Sequence, residues 1–350
     1  MTRNIHAMVL DLESDPFGEQ SPTVFRKPLQ LLGGRFRFDS NSPRLLRLVD
    51  SAYEGLPRHR LSFRTPDFRI KLLLTPPRGA GISRADQYSR SRSEPPPIAM
   101  LHGAGLLGGA TAASNFVLMS PWEGAAIVVV TPQMLRFPYH TRYEMIEFAV
   151  FTLASRAQHL VPLHAACVGY EGRGILLIGP SGAGKSTVAL HCLLEGFDFL
   201  SEDSVFATPD TMLATGVANF LHVRADSLHW LGKSPVATTI RKSPIIRRRS
   251  GVMKFEVDLR RDAFRLAKSP LKIVGVAFLS SQSAGDRQLL KPLSKSTVLA
   301  NLAATQAYGA NQLQWRAFSR NVLRLDAFEL RRGRHPLETV DTLRTWLADQ

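Results

Sequence analysis

Ile175-Leu176-Leu177-Ile178-Gly179-Pro180-Ser181-Gly182-Ala183-Gly184-Lys185-Ser186-Thr187 is the stretch from which this chain can be read. Four apolar residues predict a buried strand, Gly179 to Gly184 a loop, and Ser186 onward a helix. That is the context a G-x-x-x-x-G-K-[ST] match requires. Glycines at 179, 182 and 184 open backbone conformations closed to other residues, so that successive N–H groups converge on phosphate oxygens at the positive end of a helix. Lys185 places an ammonium on the outer phosphates, and the Ser186 hydroxyl is the expected Mg²⁺ ligand. The segment from Gly179 through Pro180, Ser181, Gly182, Ala183, Gly184, Lys185 and Ser186 to Thr187 therefore reads as a phosphate-binding loop. Gly103-Ala104-Gly105-Leu106-Leu107-Gly108-Gly109 is also rich in glycine, but it lacks a lysine and a comparable preceding strand, and it reads as a plain loop.

On the N-terminal side, Leu163 to Tyr170 predicts one strand carrying His164. The Glu171-Gly172-Arg173-Gly174 turn then pairs it with Ile175 onward as a hairpin. On the C-terminal side, Phe197 to Leu200 predicts a strand that delivers Ser201-Glu202-Asp203-Ser204 at its C-terminal end, where ligands sit in open α/β sheets. Glu202 and Asp203 are thus aimed at the loop, placed to meet the metal and the γ-phosphate; one can hold metal or water while the other, ionised at neutral pH, accepts a proton, and the two can exchange these roles.

The chain has 350 residues, of which 44% are apolar, enough for about two globular domains. Residues 1–155 carry 18 basic against 13 acidic side chains, and residues 156–350 carry 26 against 16. Within the latter, Arg224 to Lys272 holds 13 basic and 4 acidic, a segment suited to nucleotide phosphates, to an acidic polypeptide or to nonspecific binding of nucleic acid. Cys167 and Cys192 have no metal-ligand spacing. Met1 to Asp11 lacks the layout of a signal peptide, and the longest apolar run, Ala125 to Val130, is too short to span a bilayer, so a cytoplasmic protein without a membrane partner is expected.

In residues 1–155, Arg35 to Phe38 and Leu61 to Arg64 alternate like strands, and Ser42 to Ala52 has helical spacing. Thr75 to Pro97 reads as a loop with a Ser/Arg run, Ala125 to Val130 as a strand, and Tyr143 to Leu160 as a buried helix. Beyond the loop, Arg247-Arg248-Arg249 is expected in a loop, Leu271 to Leu279 in a strand and Ser280 to Asp286 in a turn. A Ser-capped helix is expected at Ser294 to Thr305, an edge strand at Val322 to Arg331, and a helix after Pro336.

His164, the Glu171 to Gly174 turn, the Gly179 to Ser186 loop and Glu202-Asp203 followed by Val205 resemble, in order and spacing, the catalytic domain of bacterial HPr serine kinase/phosphorylases. They are also similar to the HPr kinase-related enzymes, some of which modify peptide precursors such as those of lasso peptides. The resemblance covers residues 160–206 well. It implies an α/β fold with a P-loop kinase core of the HPr kinase / PEP carboxykinase-like type over residues 156–350, behind an α+β N-terminal domain over residues 1–155.

It also implies an ATP-dependent, Mg²⁺-requiring serine kinase acting on a small acceptor protein or precursor peptide, with nucleic acid not expected as a partner and a homo-oligomer left open. Asp203 would be the base, His164 would orient it, Lys185 and Ser186 would hold phosphates and metal with Glu202, and Arg265 would meet the transferring phosphate. The glutamate-isoleucine-arginine-glycine stretch that supplies a further metal ligand in the family is replaced here by Phe220-Leu221-His222-Val223-Arg224. The proline-glycine-arginine-asparagine loop tied to dephosphorylation is absent at Ser280 to Arg287, so phosphorylase activity is not expected. Two other readings stay open: a nucleotide-binding regulator without transfer activity, and a kinase of a small hydroxyl metabolite.

Overall fold

The computed structural model describes residues 24–61, 64–75, 94–111, 114–261, 264–285 and 287–350. Met1 to Asp11, Ser62-Phe63, Pro76-Pro77, Ser89 to Ser93 and Asp286 lie outside the described residues. Strands β1 (Phe25–Leu31), β2 (Gly34–Ser40), β3 (Asp67–Leu74), β4 (Ala99–Gly103), β5 (Leu106–Thr111), β6 (Asn115–Ser120) and β7 (Ala125–Val130) form a seven-stranded sheet in the order β1-β2-β3-β7-β6-β5-β4. The alternation in β2 buries Phe36 and Phe38 and turns Arg35 outward. Helix α1 (Pro43–Tyr53) lays Leu45, Val49, Ala52 and Tyr53 on the same core.

Gly103 to Gly109 is the turn and flanks of a β4/β5 hairpin rather than a loop. Ala104 and Gly105 both take positive φ, 48° and 77°, the backbone that matches a two-residue turn to strand twist. Leu61 and Arg64 lie in no strand, and a Cβ at Gly33 would come within 2.8 Å of Leu61 Cδ1, so Leu61 packs against that turn instead.

The helix expected from Tyr143 starts earlier, at Pro138, passes through a wider π turn over Thr141–Glu147, and continues as α2 (Phe148–Ala157). The boundary read at 155/156 falls in the last turn of α2. A mixed sheet follows, begun by β8 (Val161–Leu163), β9 (Ala166–Tyr170), β10 (Arg173–Ile178), β11 (Asp198–Ser201), β12 (Val205–Ala207) and β13 (Leu213–Gly216). A separate three-stranded sheet comes next, β14 (Phe220–Val223), β15 (Ile245–Arg247) and β16 (Met253–Asp258). The mixed sheet is completed by β17 (Leu271–Ser283), β18 (Leu290–Pro292) and β19 (Asp326–Arg332).

The β9/β10 hairpin pairs antiparallel as read from the sequence, while β10 runs parallel to β17 and β17 parallel to β19. The unbroken apolar run of β10 follows from burial on both faces. Ile175 and Leu177 enter one core with α3 (Lys185–Leu194) and the C-terminal helix Pro336–Ala348, and Leu176 and Ile178 enter the other.

Three further expectations are corrected. The strand through His164 is broken, because Leu163 pairs with β12 while β9 starts at Ala166, and the Gln306 side chain meets both backbone groups of His164, 2.8 Å from N and 3.1 Å from O. Strand β17 continues to Ser283 by pairing with Arg332, so Ser280 is not in a turn. Val322 ends a helix, and β19 is held between β17 and β18 rather than at an edge. Ser294 does cap its helix, accepting from Thr297 N at 3.2 Å. Among the described residues no helix is long and apolar enough to cross a membrane.

Candidate active site

The loop from Gly179 to Gly184 joins the C-terminal end of β10 to the N-terminus of α3. Gly182 and Gly184 take φ of +83° and +102°, and a Cβ at either would meet nothing within 4 Å, so both border open space. Gly184 is the N-cap of α3 and offers no side-chain acceptor, leaving first-turn N–H groups for an anion. Lys185 is buried. Its Nζ donates to Gly179 O at 2.6 Å and lies 3.3 Å from His164 Nε2. Burial pulls its pKa below the usual lysine value, against the opposing charges of Asp203 and Glu202.

His164 stands between Lys185 and Asp203. Its Nδ1 lies 3.0 Å from Asp203 Oδ1, and because an ammonium only donates, Nε2 accepts from Lys185 while Nδ1–H donates to the carboxylate. Asp203 keeps 28% of its side-chain surface, and its other oxygen lies 3.6 Å from Arg248 Nη2. Burial would raise its pKa, but the hydrogen bond from His164 and the charge of Arg248 prevail and hold it well below the usual carboxylate range.

Ser186 Oγ donates to Glu202 Oε1, and Glu202 Oε2 accepts from His222 N at 2.7 Å and faces His222 Nδ1 at 3.1 Å. On its other side His222 Nε2 is 3.4 Å from Glu256 Oε1. Burial would depress the His222 pKa, yet its contacts with Glu202 and Glu256 raise it. Glu256 is in turn bound by Arg142, which also donates to Glu147 at 3.2 Å.

Lys185, His164, Asp203, Arg248, Ser186 and Glu202 line a cleft of about 740 Å³, together with Tyr139 and Tyr143 from the first half of the chain and Trp230, Arg331 and His335 from the second, while His222, Glu256 and Arg142 are buried behind Glu202. The loop residues Pro180 to Thr187, His164, Glu202 and Asp203 all border it, as expected, and Gly179 braces the loop from beneath, where a Cβ would press on Ala183 and Leu279 at 3.1 and 3.2 Å.

Arg265 does not border the cleft. It pairs with Asp198 at 2.6 Å, at the opposite end of β11 from Asp203, because the 265–267 segment runs beside that strand's start. The arginine beside Asp203 is Arg248. Arg247 ends β15 rather than lying in a loop, bound to Glu94 at 3.1 Å, and Arg249 spans to Glu144 at 2.6 Å. Much of the basic excess of residues 224–272 is spent on such internal pairs, Arg224 with Asp226 and Arg260 with Asp258 among them.

His222, Glu256, Arg248 and Arg142 were not identified from the sequence. The one available signal was a histidine inside the otherwise apolar Phe220 to Val223 strand.

Among the described residues no group of three or more His, Cys, Asp or Glu is arranged to hold a metal ion. The Ser186–Glu202 pair still suits Mg²⁺, which takes one or two carboxylates and completes its shell with water and phosphate oxygens.

No family model matches the sequence, and no curated protein matches it. Among solved structures the chain is similar to the Hpr(Ser) kinase/phosphatase from Coxiella burnetii, at 10% identity over 54% of this chain and 91% of that chain, with a TM-score of 0.28. So loose an overlap leaves the functional reading to the side chains of the cleft.

Proposed function

We propose that this protein is an ATP-dependent kinase that phosphorylates a serine hydroxyl of a small protein or peptide. The observation that carries the reading is the line Asp203–His164–Lys185, with distances of 3.0 and 3.3 Å, which stands a carboxylate one imidazole away from the loop lysine.

Phosphoryl transfer asks a protein for alignment, charge neutralisation and an acceptor for one proton. Lys185 and the amides at the start of α3 hold the phosphates. Ser186 and Glu202 are the protein ligands available to Mg²⁺, which supplies neutralising charge when bound. Asp203 receives the serine proton as that oxygen bonds to the terminal phosphorus and the bond to the bridging oxygen breaks, releasing ADP. A carboxylate with so low a pKa is a weak base. It therefore serves by orienting the hydroxyl and taking the proton late, which suits a loose transition state.

Incubation with γ-labelled ATP, peptides and small alcohols tests the reading. The Asp203→Asn protein is expected to bind a fluorescent ATP analogue normally and to transfer about 10² to 10⁴ times more slowly. Equal transfer by that variant refutes the role.

A further inference from the structure

A second cavity of about 500 Å³ shares a wall with the first: Tyr143, Glu144, His164, Asp203 and Arg249 line both. Its remaining lining is mainly apolar, with Ile98 and Met100 from the β4 segment, Phe148 and Phe151 from α2, and Leu163 and Phe206 from the mixed sheet. Its one guanidinium, Arg249, is already bound to Glu144 and to the carbonyls of Pro95 and Pro96. Among the described residues no other arginine or lysine lines it. Asp203 and His164, the proton-accepting side of the cleft, border it.

The apolar surface does not stop at the cavity. Met100 and Tyr308 at its mouth are 63% and 56% exposed, more surface than a small alcohol covers. Strand β4 is also the last strand of its sheet, and on one side no described strand pairs with it, which leaves backbone groups for an extended chain.

We propose that this groove seats the acceptor: an extended peptide segment in which the phosphorylated serine is flanked, within two residues, by large apolar side chains. The inference rests on the kinase reading above, and it gives the first sheet and α2 the task of selecting the acceptor.

Fluorescein-labelled nonapeptides with a central serine, flanked by leucine, alanine or glutamate, provide the test, read by anisotropy and by transfer from γ-labelled ATP. The leucine-flanked peptide is expected to be preferred about 10- to 100-fold in kcat/KM over the alanine-flanked one. Met100→Glu and Tyr308→Glu, both at exposed positions, are each expected to remove most of that preference through KM, with affinity for the ATP analogue unchanged. Equal use of leucine- and alanine-flanked peptides, a preference that survives both substitutions, or transfer only to glycerol or free serine overturns the proposal. Selective peptide binding that Met100→Glu abolishes, without transfer to any acceptor, upholds the groove and removes the kinase reading instead.

Discussion

Arg142, from the π turn ahead of α2, and Glu256, from β16, form a two-pronged buried ion pair, with Nη1 3.3 Å from Oε2. Through His222 this pair reaches Glu202, so a side chain of the first half of the chain steers a carboxylate of the cleft.

Removing one member strands the other's charge in the interior. Arg142→Met is expected to cost about 3–5 kcal/mol in urea unfolding, while Arg142→Met with Glu256→Met recovers part of the loss, because neither charge is then left buried. Strictly additive losses in the two single variants would show that the pair is not coupled.

Lys185 is held by the carbonyl of Gly179, so its removal should leave the fold standing. Lys185→Met is expected to weaken binding of a fluorescent ATP analogue by the worth of a charge-assisted contact, about 1.5–3 kcal/mol, with little change in the melting temperature. Unchanged nucleotide affinity would remove the loop from the site.

His164 is half exposed and its backbone is secured by Gln306, which makes substitution structurally mild. His164→Ala is expected to lower kcat about 10- to 100-fold with the ATP KM nearly unchanged, since the ring aligns Asp203 rather than holding phosphate. A rise in KM alone would contradict that assignment.

Acid should unfold the protein through its paired carboxylates. Burial would raise Glu256, but bonds from His222 and Arg142 bring it down to about 2. Glu144 and Asp258 are lowered too, in each case against burial, by His140 and Arg249 and by Arg260. Folded values below unfolded ones mean stability that is present above the ordinary carboxylate range and lost as pH falls through the folded values. Urea midpoints are expected to hold down to about pH 4.5 and then fall toward pH 2. Glu256→Gln, less stable at neutral pH, should show a shallower decline.

What was legible in the sequence was local. The Ile175 to Thr187 pattern carries its strand, its left-handed glycines and its helix in consecutive residues, and the Tyr170/Arg173 hairpin register follows from a short turn. Asp203 and His164 could be placed beside the loop because each sits at a strand end close to it in sequence.

Arg265 was misplaced because a basic residue in an irregular stretch carries no periodicity that says which end of β11 it will face. Arg248 borders the cleft just after β15, and Glu256 in β16 acts on it through His222, a set of partners that lies across a three-stranded sheet and that strand propensity does not name. Arg142 was hidden for another reason: it stands one residue ahead of the helix read from Tyr143, and it is buried by the π turn and by a contact 114 residues away.

The two halves are stitched together by more than the Arg142 chain. His59 is buried with its ring nitrogens 2.7 Å from Thr215 Oγ1 and 2.9 Å from Ala267 O, Asn219 donates to Ala52 O at 3.0 Å, and Phe206 belongs to the first core. The front half is thus no detachable cassette. Exchanging it for an unrelated module would strip greasy surface bare behind Glu202 and Asp203, so the cleft can be altered by point substitutions along the shared seam but not by swapping the whole front half.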